Sequence, residues 1–536
     1  MRIGLAQLNC TVGDLTANAA IILEFARRAR NAGCDLLVTP ELATTGYPPQ
    51  DLLLKEHFVA DQLAVVHGQL AEQLPLPALV GFVDRDSSGN RYNAAALISS
   101  GRIEQIVHKT LLPTYDVFDE WRYFTPAESN TPVKLNGISI GVTICEDIWD
   151  EHYKHKVVPV LAAQAAGMVI NLSSSPFHVG KRRRRIETCQ RHAQQHSVPV
   201  LYCNLVGAQD EIIFDGESMA VDAQGRLTHL AAKFTEELLV VDTGNELELL
   251  AIDEPVCHAE GEMCSALQLG IKDYFRKCGF ERAVVGLSGG IDSAVVAVLA
   301  AEALGPGNVI CVAMPSRFTS EMSNVDAAIL AANLGVVFHV LSIEQSVSVA
   351  MERFRAEFGE YRYSITAENL QARERGKILM EISNDMNALV LATGNKTEYA
   401  LGYTTLYGDM CGGLAVIGDV AKTEVYDLAR YYNEMRGAEI IPQRIIDRPP
   451  SAELTGDQVD PFDYQRISPL ADAVIEEHVS RDELFVRGYR AEEIDLVFRL
   501  VRLSEYKRRQ APPILRISEK AFGIGRVMPI VNKYSY

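Results

Sequence analysis

The chain has 536 residues, 48% hydrophobic and 23% charged, which is enough for two large α/β domains or three smaller ones, each with a full core. A formal net charge of −19 argues against a nucleic-acid groove or an anionic membrane surface, and it requires that any anionic substrate meet a locally basic pocket. Ten cysteines are dispersed without a C-x-x-C pair, so neither a disulfide framework nor a zinc ribbon is indicated.

Residues 1–7 read directly as a strand with no charged leader before it, and no apolar run approaches the roughly 18 residues of a membrane span. A cytoplasmic protein with no membrane and no nucleic-acid partner is expected. Strand-like runs at 35–39, 78–83 and 138–144 then alternate with helical patterns at 17–32 and 156–166, the signature of a layered α/β domain. That domain is expected over 1–250, closing with a strand near 237–242. Residues 251–262 read as an acidic connector, and a second domain over 263–536 opens with a helix near Met263. Strands at 283–287, 309–314 and 336–341 follow, as in a doubly wound parallel sheet that binds ligands at its strand ends. Prolines, glycines and acidic residues gather over 441–464, which predicts a long loop of the kind that covers active sites.

Three segments of the first half place a reactive side chain at or just after a strand end: Glu41 in Thr39-Pro40-Glu41-Leu42, Lys109 in the run 107–113, and Cys145 in Ile144-Cys145-Glu146-Asp147. A cysteine nucleophile needs a base to take its proton and a cation to hold the oxyanion, roles that suit Glu41 and Lys109. The lysine is also expected to lower the thiol pKa. Singly, each has an ordinary reading as a buried thiol, a turn carboxylate or a solvated amine. Together, in the order Glu, Lys, Cys, the segments resemble the nitrilase superfamily over roughly the first 250 residues. The resemblance implies an αββα sandwich that hydrolyses carbon–nitrogen bonds. It further implies that Tyr115, Ser175 and Lys181 hold glutamine and that Glu120 is an additional carboxylate beside the triad. The basic run 181–185 is then a helix start with one functional lysine.

In the second half, Ser288-Gly289-Gly290-Ile291-Asp292-Ser293 stands between a short strand pattern and an apolar helix pattern. Two glycines let the backbone close around an anion, and the amides opening the helix point at it. The lysine and spacing of a Walker A loop are missing. The stretch resembles the loop of N-type ATP pyrophosphatases, which cleave ATP between the α- and β-phosphates. Thr393 and Glu398 follow the apolar strand 388–391, and Asp292 with Glu398 supplies two of the hard oxygen ligands a phosphate-bound Mg²⁺ needs.

With the motifs around Asn369, Arg373, Lys422, Ser451 and Lys507, the whole chain resembles the bacterial glutamine-dependent NAD(+) synthetases. The resemblance implies that Gly286, Leu287, Ser288, Gly289, Gly290, Ile291, Asp292, Ser293, Thr393, Lys422 and Ser451 serve ATP, a co-substrate. Asn369, Arg373, Glu398 and Lys507 are then expected at a deamido-NAD site, Mg²⁺ as the metal, and a homo-oligomer as the assembly. One departure is visible, since ammonia-only relatives carry a lysine where Leu406 stands and an Asp-His pair near Asn395-Lys396. Two rival readings remain: a GMP synthetase-like enzyme, which pairs the same loop with another glutaminase fold, and a nucleotide-sensing module that regulates a nitrilase-type amidase without chemistry of its own.

Overall fold

The computed structural model describes residues 1–244, 258–456 and 458–534, and the chain divides into two compact units, Met1–Cys257 and His258–Tyr536. The first unit holds two six-stranded sheets. One runs, in spatial order, Glu237–Asp242, Arg2–Gln7, Leu36–Val38, Ala78–Arg85, Arg91–Ser99 and Arg102–His108. The other runs Leu227–Leu230, Met219–Val221, Val200–Asn204, Met168–Ser173, Ile138–Ile144 and Val133–Leu135.

The side-chain alternation of each strand builds the layers. Leu36 and Val38 face the second sheet, packing with Ile3, Ile140, Ile170 and Leu201 in one core, while Leu37 between them joins Val80 and Phe82 under the helix Leu15–Asn31. Ile170 likewise points inward. Val169, Val200 and Tyr202 point the other way, against Val158 of helix Val157–Ala163 and Cys189 and Ala193 of helix Lys181–His196. The order helix, sheet, sheet, helix is the sandwich that the family resemblance implies. The helix predicted over 17–32 begins at Leu15, because the Asp14 side chain accepts from Ala17 N at 3.0 Å and caps it.

The second unit is built on a parallel five-stranded sheet in the order Val337–Val340, Val309–Ala313, Arg282–Gly286, Ala388–Ala392, Leu414–Ala415. The chain steps outward from Arg282–Gly286 through two strands and then returns to its other side at Ala388–Ala392. That reversal opens a crevice beyond the carboxyl ends of these two neighbours, where a doubly wound sheet binds ligands. Of the connector expected over 251–262, residues 251–257 lie outside the described residues, and helix Ala259–Cys278 begins ahead of Met263. The loop expected over 441–464 contains a short helix, Gln443–Asp447, placed directly after Pro442, before the irregular chain resumes.

Candidate active sites

In the first unit Glu41, Lys109 and Cys145 each follow a strand, and a network of buried polar groups joins their turns. Lys109 Nζ donates to Glu41 Oε1 at 2.7 Å and to Glu120 Oε1 at 2.8 Å, with the lysine fully buried. Asn93 Nδ2 donates to Glu41 Oε1 at 2.7 Å, Ser174 N donates to Glu41 Oε2 at 3.0 Å, and Tyr47 donates to Glu120 Oε1 at 3.0 Å. The Glu41 turn sits flush on strand Ala78–Arg85: a β-carbon at Gly81 would lie 2.2 Å from Pro40 O, so only glycine fits there.

Cys145 opens the turn Cys145–Ile148 at φ +42°, a left-handed conformation that side chains disfavour and that active sites retain. Asp147 holds that turn. Its Oδ2 accepts from Ile144 N at 3.0 Å, and its Oδ1 accepts from Thr110 N at 3.0 Å and Leu111 N at 2.9 Å, just beyond Lys109.

Burial works against the charge of Lys109, but the Glu120 and Glu41 carboxylates overcome it and hold the lysine pKa above its usual range. Glu120 is pushed up to about 7, by burial first and by Glu41, with Lys109 opposing. Lys109 lowers the Cys145 thiol pKa as expected, but it does not set the net direction. Burial drives the thiol well above its ordinary value, Glu41 adds to that, and Lys109 only partly offsets them. This burial favours the protonated thiol.

The three residues expected to hold glutamine lie in different surroundings. Tyr115 is half exposed and donates to Glu146 Oε2 at 3.0 Å, and Tyr153 donates to Glu146 Oε1 at 3.0 Å. Ser175 is buried, its hydroxyl accepting from Arg185 Nε at 3.2 Å and its amide donating to Asn204 Oδ1 at 3.0 Å. Lys181 begins its helix as expected and sets Nζ 4.6 Å from the centre of the Trp149 ring. Within the same basic run Arg185 is fully buried against Asp215 at 2.7 Å, a structural tie that the pattern of charges concealed.

In the second unit the Ser288–Ser293 turn leaves strand Arg282–Gly286 at the sheet's reversal. Leu287 N donates to Val312 O at 2.9 Å, Gly290 N to Ser288 Oγ at 3.2 Å, and Ser293 Oγ to Gly290 O at 3.0 Å. Gly289 has φ +80°, and a β-carbon there would lie 2.3 Å from Ser323 O. Across the crevice Asn395 caps helix Lys396–Leu401 with Glu398 in its first turn, while Asn395 Nδ2 donates to Asp292 Oδ1 at 2.8 Å. Lys422 is buried between the two acids, bonded to Asp292 Oδ2 and 3.6 Å from Glu398 Oε1. Its burial is opposed by those carboxylates, which keep it protonated.

This turn, Glu398, Lys422 and Ser451 line a cavity of about 180 Å³. A second cavity of about 240 Å³ is lined by Gly286, Leu287, Ser288, Thr393, Arg375 and the apolar Leu379, among others. Asn369, Arg373 and Lys507 converge on one loop: Thr405 Oγ1 donates to Asn369 Oδ1 at 2.9 Å, Arg373 Nε to Leu406 O at 3.2 Å, and Lys507 Nζ to Gly402 O at 2.7 Å and Thr404 O at 2.6 Å. The sequence pattern did not disclose Asn93, Asp147, Glu146 or Arg375.

Among the described residues no cluster of three or more His, Cys, Asp or Glu side chains forms a metal cage. The fit to Mg²⁺ rests on Asp292 and Glu398 alone, a pair of hard oxygen donors whose charges press on one another. Burial and the Asp292 charge push Glu398 up to about 8, against the pull of Lys422. Two such carboxylates beside a phosphate turn suit a hydrated divalent ion that takes its remaining ligands from water and phosphate.

A pH effect follows from Glu398. A carboxyl raised in the folded state contributes stability that is full below its ordinary value near 4.5 and lost as pH climbs through about 8. In chelator, the unfolding temperature of this unit is expected to fall between about pH 5 and about pH 8 and to level off above, and Mg²⁺ to restore much of the loss at the higher pH. Differential scanning calorimetry across that range checks it, and a flat profile would contradict the placement of Glu398.

Comparison with known proteins gives the same two-part division of chemistry. The carbon-nitrogen hydrolase family model matches residues 2–247, and the NAD synthase family model matches residues 263–511. The glutamine-dependent NAD(+) synthetase of Thermotoga maritima is 42% identical, the alignment covering 100% of this chain and 99% of that protein. That of Synechocystis sp. is also 42% identical, covering 99% of each. Among solved structures, the glutamine-dependent NAD+ synthetase from Acinetobacter baumannii in complex with ADP superposes with a TM-score of 0.80 at 37% identity, over 99% of this chain and 98% of that one. The chain belongs to the family of glutamine-dependent NAD(+) synthetases.

Proposed function

We propose that the protein makes NAD from deamido-NAD, drawing nitrogen from glutamine in its first unit and activating the acceptor with ATP in its second. The observation that carries this reading is two separate polar sites in one chain, Glu41–Lys109–Cys145 in the first unit and Asp292–Lys422–Glu398 in the second. In the first, Glu41 takes the Cys145 proton as sulfur attacks the glutamine amide carbon, and the buried Lys109 charge stabilises the tetrahedral oxyanion. Glu41 returns the proton to the departing ammonia, and water assisted by the same carboxylate hydrolyses the γ-glutamyl thioester to glutamate. Tyr115, Ser175 and Lys181 are assigned to holding glutamine.

In the second unit the nicotinate carboxylate of deamido-NAD attacks the α-phosphorus of ATP, pyrophosphate leaves, and ammonia displaces AMP from the acyl adenylate. Adenylation is needed because a free carboxylate is a poor electrophile. Residues 286–293 with Thr393, Lys422 and Ser451 are assigned to ATP. Asn369, Arg373, Glu398 and Lys507 are assigned to deamido-NAD. Asp292 and Glu398 would hold Mg²⁺, which when bound neutralises phosphate charge and sharpens the α-phosphorus as an electrophile. Lys422 supplies a fixed positive charge beside the phosphate turn, and Asn395 orients Asp292. The same family membership supports a cytoplasmic homo-oligomer. No described helix is long and apolar enough to cross a membrane.

The deciding assay follows AMP, pyrophosphate and NAD with glutamine, ATP and deamido-NAD present. Equal yields of the three support the reading, while glutamine hydrolysis without AMP formation would leave the second unit as a nucleotide sensor. A narrower test concerns Glu120, which shares Lys109 with Glu41. Glu120→Gln is expected to lower glutamine-supported synthesis by about 10- to 100-fold and to shift the pH profile of that reaction near neutrality, with ammonia-supported synthesis unchanged. Unaltered profiles would remove Glu120 from the reaction.

A further inference from the structure

Most buried cations in this protein are matched by carboxylates. Lys109 has Glu41 and Glu120, Arg185 has Asp215, Lys396 has Asp419, Lys422 has Asp292, and Arg508 has Glu505. Arg375 differs. It lies on helix Ile365–Met386, and its Nε donates to Met314 O at 3.0 Å, at the end of strand Val309–Ala313. That bond occupies one edge of the guanidinium. Among the described residues its two terminal nitrogens have no protein acceptor and the side chain has no ion pair. Burial pushes its pKa down to about 10, which the more distant Glu453 charge only partly opposes.

The place of Arg375 is fixed by its neighbour. A β-carbon at Gly376 would lie 2.9 Å from Cys411 Sγ and 3.0 Å from Gly408 O, so this turn of the helix is seated directly on the chain around 407–411. Arg373, two positions earlier and therefore on a different helical face, reaches Leu406 O instead. The two arginines serve different ends. Arg375 forms part of the wall of the 240 Å³ cavity, which Gly286, Ser288, Thr393, Val312 and Leu379 also line.

An arginine with a free planar fork on a cavity wall is suited to an oxyanion, which it grips with two parallel hydrogen bonds. The neighbouring 180 Å³ cavity contains Gly289 to Asp292 and Lys422, the groups suited to the β- and γ-phosphates, and Arg375 is not on its wall. The two cavities share Ser288, Asp409, Ala452 and Glu453. The anion belonging to the apolar cavity yet adjoining the phosphate turn is the one that links nucleoside to pyrophosphate.

We propose that Arg375 binds the α-phosphate of the nucleotide, in ATP and again in the acyl adenylate, an assignment that rests on the ATP-using reading of this unit. It holds the group at which the bond to pyrophosphate breaks and the bond to the acceptor carboxylate forms. The leaving charge departs toward the Lys422 side, while Arg375 stays with the AMP moiety.

The test is calorimetric titration of the full-length protein with AMP and with adenosine, in the wild type, Arg375→Gln and Arg375→Lys. The glutamine variant keeps an amide that can donate to Met314 O but removes the charge; the lysine variant keeps the charge but loses the fork. AMP affinity is expected to fall about 10- to 100-fold in Arg375→Gln and less in Arg375→Lys, with adenosine affinity and glutaminase activity unchanged in both. An AMP-to-adenosine ratio in Arg375→Gln equal to the wild-type ratio overturns the proposal. Loss of adenosine binding in parallel with AMP in both variants overturns it too, since Arg375 would then only support the Met314 strand end. A wild-type protein that binds neither ligand refutes the ATP reading, and the proposal with it.

Discussion

Cys145→Ala is expected to abolish glutamine-supported NAD formation, by about four orders of magnitude or more, while ammonia-supported formation stays within about twofold of the wild type. The thioester needs this thiol, which is buried within electrostatic reach of Glu41 and Lys109 in a first unit whose core is separate from that of the second. Alanine keeps the apolar volume of a fully buried position at little cost, so the fold is expected to persist. Steady-state rates with each nitrogen donor give the answer. Equal loss with both donors would mean that the chain does not divide its chemistry between two sites.

Neutralising the acids of the second unit is expected to give the opposite pattern. Asp292→Asn and Glu398→Gln should each depress synthesis by about 10²- to 10³-fold with either donor, because adenylation precedes amide formation whichever way ammonia arrives. Exchange of labelled pyrophosphate into ATP isolates the step: it should collapse in both acid variants and survive in Cys145→Ala. Lys422 is bonded to Asp292 and close to Glu398, so each variant also leaves a buried lysine with one fewer counter-charge. Comparison of nucleotide affinity with turnover separates that loss from the loss of metal ligation. Full ammonia-dependent activity in Glu398→Gln would exclude it from the metal site.

How much of this was legible in the sequence depended on whether a residue's role was local. The Ser288–Ser293 turn is contiguous, and its flanking strand and helix patterns give its conformation directly. Glu41, Lys109 and Cys145 were legible as strand-end residues because a sheet delivers its strand ends to one rim. Their partners were not. Asn93 reaches Glu41 from 52 positions away, inside a strand where one polar residue is unremarked, and Asp147 resembles any first-turn acid. Arg185 was concealed in a basic run that reads as solvated, although its own face of the helix is the buried one. The net direction of the thiol pKa is hidden for a related reason. A neighbouring lysine can be read from sequence, whereas the depth of burial that outweighs it is a property of the assembled layers.

Asp147 deserves a mechanical reading. Cys145 stands at the rim of one sheet and Lys109 at the rim of the other, so their separation would ordinarily follow the thickness of the side-chain layer between the sheets. By accepting from Ile144 N on one rim and from Thr110 N and Leu111 N on the other, a single carboxylate works as a caliper across the gap. The spacing of nucleophile and cation is thereby set at the rim and decoupled from the volume of the core. Exchanges among valine, isoleucine and leucine in that layer would then alter how firmly the sandwich holds together without changing the gauge at which it cuts.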